Sequence, residues 1–423
     1  SSTSRGLGDV YKRQLLSRYP QPISSGTSNN YRRTANEVND QEQWSARFDH
    51  HLSPREALLA RVTRFHDAFA PVSPLPDGSG ATRGTPGVQD SVAWSFVSGY
   101  RRELWRGLVN ELRIGETRRA VDRRANELQA PPSATLGLPG IPSSAQFPNT
   151  LPTFVISGYQ HLGSPANTAS SFRTGVFQIA NALSWTMGRH ALKAGLDWRW
   201  SRLDVIQPPS PTGTFTFSSL FTDQPGVTGT GSPLASFLLG QVQTFAIDLQ
   251  AQRIQERAHV QEYFLQDDWK VSDRLTLSPG LRYTLNFPST EINGQTAVLN
   301  LGTRLLEYPG AEPVRRLHKN NVGPRLGMAY RASDRTVVGL GYGLVWIDMA
   351  GITTPFTTPT FPFVQTVSQR TLDNVSPAFV LRNGPSITPV RPSPTAGLGQ
   401  GVFTVDRDLG SGYVLQWNAS LQR

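Results

Sequence analysis

The stretch LTLSPGLRYTLNF, Leu275 to Phe287, decides the fold. Leu275, Leu277, Leu281, Tyr283, Leu285 and Phe287 fall on one face, with Pro279 as the only interruption. Thr276, Ser278, Arg282, Thr284 and Asn286 fall on the other. Successive side chains of a strand point to opposite faces, so this period of two predicts a β-strand with one apolar and one polar face. It is also long. Soluble strands usually hold about five or six residues, whereas a tilted strand crossing a bilayer needs about 9–11. The alternation therefore predicts that the leucines and Tyr283 face outward, toward lipid, and that Arg282 and Asn286 face a polar interior.

The pattern recurs along the chain. Leu192, Ala194, Leu196, Trp198 and Trp200 oppose Lys193, Gly195, Asp197 and Arg199. Val322, Pro324, Leu326, Met328 and Tyr330 oppose Gly323, Arg325, Gly327 and Ala329. Tyr413, Leu415, Trp417, Ala419 and Leu421 oppose Val414, Gln416, Asn418 and Ser420. Poorer sets run through Trp44 and Phe48, where His50 intrudes, and through Phe177 to Trp185, where Asn181 intrudes. Asp267 breaks the face of Tyr263, Leu265 and Trp269. About eleven strands result: 41–53, 55–69, 91–103, 107–120, 172–186, 190–205, 258–271, 275–287, 321–332, 335–347 and 412–423. Tight turns fall near Ser53-Pro54, Glu103-Leu104, Gly188, Ser272-Asp273 and Ser333-Asp334. Long connections fall at about 70–90, 121–171, 206–257, 288–320 and 348–411. Short and long connections alternate without exception, as in transmembrane barrels with short periplasmic turns and long extracellular loops. A soluble sandwich would mix its connections.

Composition agrees with this class. The 423 residues have a mean hydropathy of -0.33 and 38% hydrophobic residues, and hold no apolar run of the roughly 18 residues that a membrane helix needs. Alternating strands average to near-neutral hydropathy, so a barrel stays open. Cysteine is absent, which suits an exported chain as well as a reducing compartment. The net charge of +10 first suggests nucleic acid, but the arginines are spread one per strand or turn and form no compact patch. A polar lumen, or lipopolysaccharide phosphates at a rim, accommodates them better; no nucleic-acid partner is expected. Trp185, Trp198, Trp200, Trp269, Tyr283 and Trp346 lie near strand ends and read as interfacial girdle residues.

Nothing in the sequence builds a catalytic, cofactor or metal site. The glycines of GLGYG (Gly339, Gly341, Gly343) sit at period two and open no helix, so they read as a small-residue face against which a lumenal element packs. The histidines (His50, His51, His66, His161, His190, His259, His318) never show metal-ligand spacing, and no GxSxG elbow exists. Alternation splits His50 from His51 and Asp267 from Asp268, so neither couple shares a face.

Six longer segments stand out: QWSARFDHHLS (Gln43–Ser53), LVNELRIGETRR (Leu108–Arg119), LSWTMGRHALKAGLDWRW (Leu183–Trp200), PLASFLLG (Pro233–Gly240), YFLQDDWKVSDRLTLSPGLRY (Tyr263–Tyr283) and NVGPRLGMAYRASDRTVVGLGYG (Asn321–Gly343). In this order they resemble the TonB-dependent transporters of the outer membrane, and in particular their Oar-like branch, most strongly in the last two. The resemblance implies an all-β, antiparallel transmembrane barrel of roughly 22 strands with a plugged lumen, of which this chain would supply an incomplete half-shell. It implies uptake of a scarce nutrient across the bacterial outer membrane, with no enzymatic activity and no cofactor. The expected partners are outer-membrane lipid and lipopolysaccharide, a ligand of unknown identity at the extracellular loops, and the TonB system through an N-terminal part. Neither a TonB box nor a plug is found here, so no residue takes the energy-coupling role. Residues Ser1 to Gln14 have no periodicity and read as non-native read-through, leaving 15–423 as a partial barrel cut at both ends. Two other readings are a structural or adhesive Oar-like outer-membrane protein and a soluble, secreted carbohydrate-binding β-protein.

Overall fold

The computed structural model describes residues 12, 14–80, 87–125, 138–142, 150–347 and 359–423. The proposed read-through therefore lies almost wholly outside the described residues, as do parts of the connections at 121–171 and 348–411.

The chain begins with two hairpins, β1 (Val38–Ser53) with β2 (Glu56–Ala70), and β3 (Val88–Trp105) with β4 (Leu108–Arg124). A short β5 (Thr153–Ile156) precedes the third hairpin, β6 (Ser170–Met187) with β7 (His190–Ile206). Next come β8 (Thr214–Phe217), the helix α1 (Pro233–Leu239), β9 (Gln241–Val242) and β10 (Thr244–Gln250). A fourth hairpin joins β11 (Ile254–Lys270) to β12 (Leu275–Glu291), followed by β13 (Val298–Asn300) and β14 (Leu305–Glu307). The fifth joins β15 (Val322–Ser333) to β16 (Thr336–Trp346), and β17 (Val364–Arg370), β18 (Phe379–Val380) and β19 (Tyr413–Gln422) complete the order.

The eleven long strands form one antiparallel sheet in the order β1-β2-β3-β4-β6-β7-β11-β12-β15-β16-β19. Neighbours in the sheet are neighbours in sequence once the short strands are set aside, the meander that alternating turns and loops dictate. The sheet is open: β1 and β19 each pair on one side only. Each expected long strand is present, several extended by a few residues at the loop end.

The tight turns lie together at one end of the sheet. The carbonyl of Arg55 accepts from Glu103 N, that of Arg189 from Lys270 N, and that of Arg274 from Arg331 N, while Thr186 N donates to Gly107 O. Three turns use one device, a serine two residues before an arginine. Ser53, Ser272 and Ser333 each accept from the backbone N–H of Arg55, Arg274 and Arg335, the local bond by which a hydroxyl replaces a backbone turn. The turn expected at Glu103-Leu104 is instead Arg106-Gly107. Trp105 pairs with Leu108 across a register shift, and Gly107 has φ +74°, which a side chain rarely adopts.

The two faces of the sheet are inverted relative to a soluble protein. Leu265 and Leu281, opposite each other on the apolar face, are 57% and 49% exposed, while Glu262 and Thr284 on the polar face are 9% and 2% exposed. Arg282 lies on the polar face with Glu262, as the alternation predicts. His50 pairs with Leu58 and His51 with Ala57, on opposite faces. The main cluster of buried apolar side chains lies outside the large sheet. It is assembled from Phe154, Phe215, Phe217, Phe237 and Phe245 among others, mostly from the long connections, with Leu15 from the N-terminal segment.

Candidate functional site

Two features of the molecule are candidates for contact with a solute: a charged row on the polar face and a folded cap made by the long connections.

The row starts at Gln178 on β6, whose amide donates to both oxygens of Asp197 on β7 at 2.9 and 2.8 Å. Arg199, two residues on, bonds Glu262 of β11 at 3.2 Å. Arg282 of β12 reaches Glu262 from the other side at 3.3 Å, and Thr284 Oγ1 donates to it at 3.4 Å. Strand register alone aligns these groups. Glu262 faces Asp197 on one side and Thr284 on the other. A buried carboxylate is tolerated only when paired and hydrogen-bonded, and Glu262 has both forms of support. Arg282 also lies 5.8 Å over the Phe264 ring, and that ring occupies the space beside Gly195, where an added Cβ would come within 2.8 Å of it.

Gly339 and Gly341 lie on the polar face too, but the expected lumenal element is not their close neighbour. An added Cβ at Gly341 would meet Asn418 Oδ1 at 2.4 Å, and one at Gly339 would meet Ser420 Oγ at 2.5 Å. The space is filled by side chains of the paired strand β19. Polar groups opposite a glycine turn toward its vacant Cβ position.

The cap is a four-stranded sheet, β17-β10-β8-β5, built from three separate connections. Phe154 and Phe215 stack at 5.3 Å, Phe215 meets Phe245 at 4.8 Å, and Phe217 meets Phe237 of α1 edge-on at 5.2 Å. The helix starts at the N-cap Ser232 with a proline in its first turn and ends at Gly240 with φ +73°. From sequence these segments are expected only as long connections, although local signals are present. Thr153-Phe154, Thr214-Phe215-Thr216-Phe217 and Thr244-Phe245 are short alternating runs, and Ser232-Pro233 to Gly240 carries the start and stop signals of a helix. Gln250 ties the cap to the wall, donating to Val205 O at 2.9 Å and accepting from Gln207 N at 2.8 Å.

Several other residues singled out by sequence have structural partners, whereas His318 Nε2 is buried without a hydrogen-bond partner among the described residues. His190 Nδ1 lies 2.6 Å from Asp267, so the carboxylate that breaks the apolar face is paired there, and the His190 ring stacks on Trp269 at 5.6 Å. Asp268 pairs with Ala191 on the other face. His66 bonds Asp90 at 3.0 Å. Among the described residues no group of three His, Cys, Asp or Glu side chains is placed to hold a metal.

The aromatic residues form two levels. Trp185 and Trp269 lie two or three residues from the tight turns and Trp200 and Trp346 lie toward the loop end, whereas Trp198 and Tyr283 fall at the midpoints of their strands. Trp185 pairs with Leu192 and Phe177 pairs with Trp200, eight residues higher on β7. At about 3.3 Å per residue this is roughly 26 Å along the strand, or about 20 Å at a tilt near 40°, close to the ~25 Å apolar band of an outer-membrane barrel.

Residues 4–423 match the family described as outer membrane beta barrel domain. The chain belongs to this family. Its place is the bacterial outer membrane, its apolar face meets lipid, its polar face lines the lumen, and the long connections are extracellular. Solved structures similar to it include the ferripyoverdine receptor of Pseudomonas aeruginosa bound to ferripyoverdine (10% identity, TM-score 0.42). Others are the unliganded ferric citrate transporter (9%, TM-score 0.40) and the alcaligin outer-membrane receptor of Bordetella pertussis (9%, TM-score 0.40). The matches cover 74%, 73% and 90% of this chain and 36%, 36% and 50% of those chains, so this chain spans half or less of their length. A search of curated proteins returned no match.

Proposed function

We propose that this chain forms part of the wall and the extracellular cap of a TonB-dependent transporter that takes up a scarce nutrient and performs no chemistry on it. The observation that carries the reading is the cap itself. Three long connections that need only join strands are instead packed around a common aromatic core, Phe154, Phe215, Phe217 and Phe245, at the end of the sheet that faces the medium. Ordering such loops loses conformational entropy, and a rigid scaffold presenting loops is the usual arrangement of a binding surface. Behind the cap, the row Asp197-Arg199-Glu262-Arg282 offers a polar lumenal wall suited to a hydrated solute. The resemblance of Tyr263–Tyr283 and Asn321–Gly343 to TonB-dependent transporters supports the TonB dependence, with the coupling role assigned to no residue of this chain.

A structural or adhesive role is the second reading, favoured by the exposed Leu372, Val375 and Phe403 on the connection before β19. The test is accumulation of labelled solutes from spent medium by cells carrying the full gene, with and without a protonophore. Energy-dependent accumulation that is lost on Phe215→Asp, with the protein still inserted, supports transport. Accumulation equal in cells with and without the gene, alongside gene-dependent cell-to-cell attachment, favours adhesion.

A further inference from the structure

On the lipid-facing side, at the loop end of β7, β11 and β12, the segment Pro313 to Leu317 folds back over the wall and leaves a cleft of about 340 Å³. Its floor is apolar. His259 stacks on Phe287 at 3.7 Å, Trp200 lies beside His259 in register and against Phe177 at 5.7 Å, and Pro313 and Leu317 form the outer lip. Its rim is cationic. Arg257 of β11 and Arg315 of the lip both line it. Arg257 has a counter-charge in Asp204, 2.6 Å from its Nη1. Arg315 is half-buried and has neither hydrogen bond nor ion pair among the described residues, and burial holds its guanidinium below the usual arginine value.

A half-buried arginine without a counter-charge is unfavourable unless an anion completes it. The site lies just above the upper aromatic level, where lipid headgroups meet the protein. The geometry points to a binding site for a phosphorylated glycolipid of the outer leaflet, one phosphate between Arg315 and Arg257 and an acyl segment against Trp200, Phe287 and Leu317. Arginine forks match phosphate bidentately, and an aromatic, apolar floor beside them selects an amphiphile over free phosphate. The inference rests on the outer-membrane placement and needs no transported solute.

The test uses the protein in native outer membranes, extracted in mild detergent, washed, and assayed for retained lipopolysaccharide by mass spectrometry. The heat-dependent gel shift of a folded barrel is the folding control. The wild type should retain glycolipid, and Arg315→Ala should lose it about tenfold with the gel shift intact. Leu317→Asp, on the same lip, should do likewise through the acyl contact. Exchange into nanodiscs should show competition by diphosphorylated lipid A and none by its dephosphorylated form or by phosphatidylglycerol. Equal retention in wild type and both variants overturns the proposal. Equal competition by phosphatidylglycerol also overturns it, by making the site one for any anionic lipid. Because no uptake is measured, failure here is separate from failure of the transport reading.

Discussion

Asp267 shows how a residue that breaks the strand pattern is accommodated. It stands on the lipid-facing side between Leu265 and Trp269, and its carboxylate is hydrogen-bonded to His190, 77 residues earlier. Removing the histidine alone would leave the carboxylate half-desolvated. His190→Leu is therefore expected to destabilise the folded protein by about 1–3 kcal/mol, and the double variant with Asp267→Leu to recover most of this. Urea unfolding of the four proteins of the cycle in detergent checks it; additive single effects would mean that the pair is not coupled. Glu262 is the stricter case, since two arginines and Thr284 converge on it. Glu262→Ala should cost about 3–5 kcal/mol, the usual range when one partner of a buried ion pair is lost. Asp373 is a different kind of residue. It lies outside the barrel strands and accepts from the backbone N–H groups of Ser376 and Val375, which hold its carboxyl down to about 2. A carboxyl depressed in the folded state supports its turn above the ordinary value of 3.8 and loses that support as pH falls through about 2. Amide protection of Val375 and Ser376 should thus persist at pH 4, fall only near pH 2, and be absent at both in Asp373→Ala.

At the scale of the element, the long strands are specified by alternation and the turns by short local signals. The faces of β12 give a direct test. Leu281→Arg places a charge near the middle of the lipid-facing side and should cost about 2–4 kcal/mol. Gln266→Arg, on the polar face beside Gly280, should be tolerated within about 0.5 kcal/mol. Equal losses from the two, measured by unfolding in detergent, would mean that the register is wrong. The legibility of an element followed its length. Thirteen residues of period two in Leu275 to Phe287 admit one reading, but the four residues of Thr153–Ile156 or Thr214–Phe217 do not. The cap is therefore not legible in the sequence, although Thr153–Ile156 and Thr214–Phe217 alternate. The turn falls at Arg106-Gly107 and not at Glu103-Leu104 because Trp105 extends β3 across a register shift, a feature that depends on pairing with β4.

For the whole molecule, the open sheet is the governing fact. Unpaired N–H and C=O groups along β1 and β19 are not tolerated in lipid, where each costs several kcal/mol, and in water they recruit other chains. Residues 15–423 produced alone in detergent-free buffer should associate into large species by light scattering. A stable monomer would contradict the barrel-wall reading. The cap is expected to fail separately from the wall. Phe215→Ala removes the ring that stacks on Phe154 and meets Phe245, a loss of about 3–5 kcal/mol within that core. Proteolysis should then cut within 206–257 while the membrane-protected strands remain intact.

Local chemistry, read along the chain, is enough to divide this protein into lipid-facing and lumen-facing residues. The period of two is written into each strand, and a slip of one residue would bury every wrong side chain. The alternation of tight turns with long connections likewise determines the meander and the side of the membrane on which the long connections lie. What only the tertiary structure decides is which distant residues meet. Glu262 gains Arg199 and Arg282 through the register of three strands, and His190 finds Asp267 across a paired strand. The cap forms because Phe154, Phe215 and Phe245, from two separate connections, exclude water together. Burial of this kind is a cooperative property of residues far apart in sequence, and no single segment carries its signature.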